Sequence, residues 1–201
     1  MSELSRDYFE FFGLDRKLVI NTDDLQQRFY KLSRQWHPDR FSRRPVEEQN
    51  QSLEATSLLN DGYRTLKDPV KRAEYLLTQE GFPIGEQRSK DVPPELLEEV
   101  FELNMMLEEL KAGDESARPQ LEQARASFLT MRGGLDQELL KLFNRYDAST
   151  EDSETAKQAL SEIRGVLNRR RYIENLVRDV DRALSPAVST IETESVGHKG
   201  R

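Results

Sequence analysis

The sequence predicts an all-α protein, and three observations predict it. Apolar residues recur at three- and four-residue spacing along most of the chain, strand-type alternation is absent, and Glu, Lys, Arg, Leu and Ala dominate while Gly and Pro are sparse. With 201 residues, 36% of them hydrophobic and 33% charged, the chain can form one or two domains.

The first element is an aromatic segment, Asp7 to Leu14, closed by Gly13. Tyr8, Phe9 and Phe12 share one helical face, which is the pattern of a packing anchor. Thr22 is a suitable N-cap for the next helix, and Asp23 and Asp24 stand in the first turn, where the helix dipole favours carboxylates. Leu25, Phe29, Leu32 and Trp36 then form one apolar face at 4-3-4 spacing. Pro38 disfavours helical backbone at His37, so the helix stops and leaves His37 and Asp39 on a loop. Arg28, Lys31 and Arg34 make a basic strip on another face. The strip ends beside this loop, with Arg40 just beyond, and such an arrangement suits an acidic partner surface.

After Arg43-Arg44-Pro45, Glu47 and Glu48 open a second long helix. Its expected apolar face holds Leu59, Tyr63 and Leu66, supported by Leu53 and Ala55, and it ends near Asp68-Pro69. A short helix with Val70, Ala73, Leu76 and Leu77 runs to Gly81. The two long helices are expected as an antiparallel hairpin that buries Phe29, Leu32 and Trp36 against Leu53, Leu59 and Leu66.

Residues 81–94 hold Gly, Pro, Ser and charge without a helical period and read as a linker. Three further stripes follow. The first is Leu96, Val100, Leu103, Leu107 and Leu110; the second runs from Leu121 to Tyr146 through Gly133-Gly134; the third runs from Ile163 to Leu184. Three such stripes bury one another as a bundle over 95–184. The tail 185–201 lacks periodic apolar residues and is expected to be disordered.

The first bundle helix has more apolar residues than one stripe can use. Leu97, Phe101 and Met105 lie in line, flanked by Glu98, Glu102 and Glu109. Apolar residues in line with a carboxylate rim suggest a protein-binding strip. Tyr172 sits next to the core position Ile173, after Arg169-Arg170-Arg171. The bland alternative is a broader bundle core that takes in Leu97 and Phe101.

Composition also excludes. The net charge of −7 argues against nucleic acid as the main partner. With no Cys and two His, the chain offers no disulfide, no thiolate-bound metal and no His-based metal site, and no cofactor is expected. No stretch is apolar enough to span a bilayer, so a cytoplasmic protein is expected.

Taken together, Tyr8-Phe9…Gly13-Leu14, His37-Pro38-Asp39-Arg40 and the run Leu59-Asn60-Asp61-Gly62-Tyr63 to Asp68-Pro69 resemble a J-domain. Lys71-Arg72-Ala73-Glu74-Tyr75-Leu76-Leu77 with Gly81-Phe82, and the acidic helix from Leu97, narrow the resemblance to the HscB family of J-type co-chaperones in iron–sulfur cluster assembly. The resemblance implies a J-domain over 1–80, that is, an antiparallel helical hairpin with short flanking helices, and a scaffold-binding three-helix bundle. The implied partners are a DnaK/HscA-type ATPase chaperone and an IscU-like scaffold. Carried over by position, His37, Pro38, Asp39, Arg28, Lys31, Arg34 and Arg40 would face the chaperone. Leu97, Phe101, Glu102, Met105, Glu109 and Tyr172 would face the scaffold. Met105 stands where the bacterial pattern has an acidic residue, and Tyr172 where it has Phe. The Cys-rich zinc module of eukaryotic relatives is absent.

Two other classes of function compete with this one. A general J-domain co-chaperone would use the bundle for unfolded clients. An enzyme would use His37 and Asp39 as an acid–base pair, but no second His and no Cys is placed to complete a nucleophile–base set, and no catalytic residue is assigned.

Overall fold

The computed structural model describes residues 5–82, 94–149 and 153–185. Among them are α1 (Tyr8–Phe12), α2 (Thr22–Trp36), α3 (Val46–Lys67), α4 (Pro69–Gln79), α5 (Leu97–Lys111), α6 (Ala117–Asp147) and α7 (Glu154–Leu184), with short 3-10 turns at Pro38–Arg40 and Pro94–Leu96 and no strand. Most of the expected linker, and the tail beyond Ser185, lie outside the described residues.

Local chemistry sets each boundary. The Asp7 side chain caps α1 by accepting from the Glu10 N–H, and Gly13, with φ of 64°, closes it in the left-handed region. Asn21, rather than the expected Thr22, caps α2, its side-chain oxygen accepting from the Asp23 and Asp24 N–H groups at 2.9 and 3.1 Å. Both residue types cap well, and the one with extended backbone takes the position. Asp68 ends α3 and caps α4.

α2 and α3 pack as the expected hairpin, but Phe29, Leu32 and Trp36 are half-buried rather than buried, and Leu25 is the buried residue of α2. Leu25, Ala55, Leu59 and Leu66 are buried, and the Phe29 and Tyr63 rings lie 4.4 Å apart. Leu53 departs from the expectation: it is 58% exposed. It lies six residues before Leu59, about 240° round the helix, and so off the buried face. Ser52 takes the inward position instead. α1 crosses α3 at Gly62, where an added Cβ would stand 2.9 Å from the Phe12 ring.

Helix length governs the remainder. α6 and α7 have 31 residues each and α5 has 15. At 1.5 Å per residue α5 covers about 22 Å of a stripe about 46 Å long. Leu121, Phe128, Ile173, Val177 and Val180 pack with Leu96 and Leu103 in one core cluster. The other half of the stripe, including Leu139, Phe143, Leu160 and Ile163, packs with Phe9, Leu18, Leu76 and Leu77 in a second. The hairpin unit thus covers the part of the long helices that α5 is too short to reach.

A polar clamp fixes this junction. The Asp147 carboxylate accepts from the Leu18 and Val19 N–H groups at 2.8 and 2.7 Å. The buried Arg72 guanidinium donates to the Leu18 carbonyl at 2.9 Å and also to that of Leu66. Burial pushes the Arg72 pKa down, against the opposing pull of Asp147 and Asp68. On the surface of the same junction, Arg171 pairs with Glu74 at 2.9 Å.

Two stability changes follow. Asp147→Ala removes two charge-assisted hydrogen bonds and is expected to cost about 2–4 kcal/mol in chemical denaturation. Gly133 and Gly134 lie within α6 with open space at their absent Cβ positions. Replacing each by Ala is expected to add about 1 kcal/mol.

Candidate docking surfaces

α2 ends at Trp36 because His37, which precedes a proline, holds extended backbone (φ −61°, ψ 127°). Pro38 then starts the 3-10 turn, where its missing N–H is harmless. His37 Nδ1 accepts from the Asp39 N–H at 3.3 Å, which holds the side chain against the turn it precedes. The Asp39 carboxylate is left 90% exposed, 3.6 Å from His37 Nδ1.

The backbone beneath this tip is tied down from three sides. Ser52 Oγ, on α3, donates to the Trp36 carbonyl at 2.7 Å, with Thr56 Oγ1 3.2 Å from the same oxygen. Arg40 donates to the Arg34 carbonyl at 3.0 Å. These are carbonyls of the last turn of α2, which lack helical partners. The Trp36 and Phe41 rings stack 6.0 Å apart, nearly parallel. A rigid base therefore presents an open carboxylate. The near-complete exposure of the Asp39 carboxylate suits recognition by a partner.

The basic strip divides. Lys31 and Arg34 are exposed on α2. Arg28 faces inward: it pairs with Asp24 at 2.9 Å and donates to the Phe12 and Gly13 carbonyls at 3.1 and 2.5 Å. It secures the C-terminus of α1, which the charge pattern alone does not reveal.

On α5, Leu97, Phe101 and Met105 are 55%, 65% and 51% exposed. The bundle core does not take them in. Glu98, Glu102 and Glu109 beside them are exposed too. At 100° per residue these three carboxylates fall on the edge of the strip that faces α6. Tyr172 differs from the expectation. It is 8% exposed, packed in the same cluster as Leu96 and Leu103, and burial pushes its hydroxyl pKa up. α7 meets α5 as well as α6, so its buried face is wide enough to include both Tyr172 and Ile173. The preceding arginines are engaged: Arg169 with Glu138, Arg170 with Asp136 and Glu174, and Arg171 with Glu74.

Sequence reasoning missed Ser52, Arg72 and Asp147. Their hydrogen bonds join distant parts of the chain, 129 residues apart for Asp147 and Leu18, and leave no periodic signal. The excess of α6 and α7 length over α5 is the signal that could have announced a second packing partner. Among the described residues no cluster of His, Asp and Glu could hold a metal ion, and no helix is long and apolar enough to cross a membrane.

Residues 7–75 match the family model described as the DnaJ domain. The whole fold is similar to that of the chaperone HscB from Vibrio cholerae, with 26% identity over 88% of this chain and 96% of that one and a TM-score of 0.60. It is also similar to the human co-chaperone protein HscB, with 26% identity over 90% of this chain and 83% of that one and a TM-score of 0.67.

Ser52→Ala is expected to cost about 1–2 kcal/mol of stability by leaving the Trp36 carbonyl under-satisfied. Amide hydrogen exchange at Asp39 to Phe41 should quicken more than in the core of α3, which measures the loosening of the tip.

Proposed function

We propose, for a chain that is an HscB-type J-domain protein and hence a co-chaperone rather than an enzyme, that it couples an Hsp70-type ATPase to one folded client in iron–sulfur cluster assembly. The chaperone is of the DnaK/HscA kind, and the client is an IscU-like scaffold. In this reading 1–80 is the J-domain and 95–184 the scaffold-binding bundle, and the protein acts in the cytoplasm.

The observation that carries the reading is that one chain holds a rigid tip with an open carboxylate and, on another helix, an apolar strip with a carboxylate rim. Lys31 and Arg34 steer the tip to an acidic chaperone surface by complementary potential. His37 and Pro38 fix the turn, and Asp39 pairs with a cation on the chaperone. Arg28 and Arg40 serve this contact from behind, by holding α1 and the end of α2. On the bundle, Leu97, Phe101 and Met105 supply the apolar contact, while Glu102 and Glu109 favour a scaffold with basic residues beside its own apolar patch. Tyr172 supports the strip from within the core. Holding client and activator on one molecule raises the client's local concentration at the chaperone.

Steady-state ATP turnover of the cognate chaperone with scaffold present tests the tip. Asp39→Asn is expected to return it to the unstimulated rate; stimulation equal to wild type would remove the assignment. For the strip, Leu97→Ser with Phe101→Ser should weaken scaffold binding by on the order of a hundredfold, since a buried Leu or Phe contributes about 1.5–3 kcal/mol. Undiminished scaffold binding, or equal binding of unfolded polypeptide by the wild type, would favour a general co-chaperone instead.

A further inference from the structure

Two large apolar side chains stand on the outer side of α3, uncovered among the described residues. Val46 is 65% exposed and Leu53 58%. Seven residues apart, they lie within about 20° of one line on the helix and about 10 Å apart along it. The buried positions Ala55, Leu59 and Leu66 occupy the opposite side, and so does Gly62, where α1 crosses. A lone exposed leucine carries no meaning. This pair is set apart by its place. Ser52, next to Leu53, donates to the carbonyl of Trp36, the residue before His37. α3 packs against the turn Pro38–Arg40 and begins at Val46, so the first turns of this helix, with Val46 and Leu53 on their outer side, adjoin the tip.

Charge bears on the occupant. Arg34, Arg40, Arg43 and Arg44 are exposed at the same end of the hairpin, against the exposed carboxylates of Asp39, Glu47 and Glu54, which leaves a small excess of positive charge. Apolar side chains beside positive charge fit an acidic surface with an apolar recess. Continuity with the tip, the chaperone contact proposed above, selects the chaperone over a second copy of this chain.

We infer that Val46 and Leu53 form an apolar ledge beside the His37-Pro38-Asp39 tip, on which the Hsp70-type chaperone docks. The inference rests on the reading of the tip as the chaperone contact and divides the labour at that contact. The ledge holds the complex together, and Asp39 switches the ATPase. Loss of the ledge therefore changes how much protein is needed, while loss of Asp39 changes how far turnover can rise.

The test is Val46→Gln with Leu53→Gln in the full chain, titrated against the cognate Hsp70-type chaperone by steady-state ATP turnover. Gln keeps helix propensity, and neither site belongs to the core, so the melting temperature should match wild type. The concentration for half-maximal stimulation is expected to rise about tenfold with the plateau unchanged, and that ratio should persist at high salt because no charge has been altered. An unchanged half-maximal concentration, while Asp39→Asn abolishes the plateau, would overturn the ledge and leave the tip reading standing. An altered sedimentation coefficient of the free protein with unchanged half-saturation would make the ledge a self-association surface and overturn the inference. Wild-type stimulation by Asp39→Asn would remove the reading on which it rests.

Discussion

The backbone at Leu18 and Val19 is held from two directions at once. Asp147, the last residue of α6, accepts both N–H groups, and Arg72 of α4 donates to the Leu18 carbonyl. This short stretch between α1 and α2 is therefore shared by the hairpin unit and the bundle. Around it, apolar residues of both units fill one core. The buried Arg72 guanidinium and the Asp147 carboxylate each take two backbone partners, and breaking the junction leaves those polar groups short of hydrogen bonds. The consequence reaches both ends of the molecule. The direction in which the His37-Pro38-Asp39 tip points is fixed relative to the strip on α5.

That arrangement follows from an inequality of length. Three helices of equal length would have buried one another completely. With α5 half as long as α6 and α7, half of an apolar stripe needs another cover, and α1, α4 and the segment around Leu18 provide it. The same shortage of cover explains how α5 can keep Leu97, Phe101 and Met105 exposed. Its own inward face, centred on Leu103, satisfies the bundle, and the outward residues stay available to a partner.

The sequence made the periodic features legible. The hairpin, the stop at Pro38 and the three stripes depend on residues a few positions apart, and helical geometry turns such spacing directly into a face. The exposed strip was legible for the same reason, because its residues lie about 100° or more from the core stripe. Where two capping residues adjoin, as at Asn21 and Thr22, pattern cannot choose between them. Leu53 was assigned to the hairpin core for being apolar, although its angle to Leu59 already placed it off that face. Periodicity treats α7 as carrying one stripe and so puts Tyr172 at its edge, whereas α7 packs against α4 and α5 as well as α6. Arg28 was counted with the docking charges although its guanidinium is committed to α1. Ser52, Arg72 and Asp147 act through hydrogen bonds to backbone groups that the fold brings near, and apolar periodicity carries no mark of them.

The central claim is that one molecule must hold the chaperone's activator and the client together. An equimolar mixture of two variants tests it directly: one with Asp39→Asn and an intact strip, the other with an intact tip and Leu97→Ser plus Phe101→Ser. Chaperone ATP turnover is measured with scaffold at a concentration where wild type gives full synergy. The mixture is predicted to fall well short of the wild type, because neither chain brings scaffold and tip to the same chaperone. Full synergy from the mixture would contradict the account.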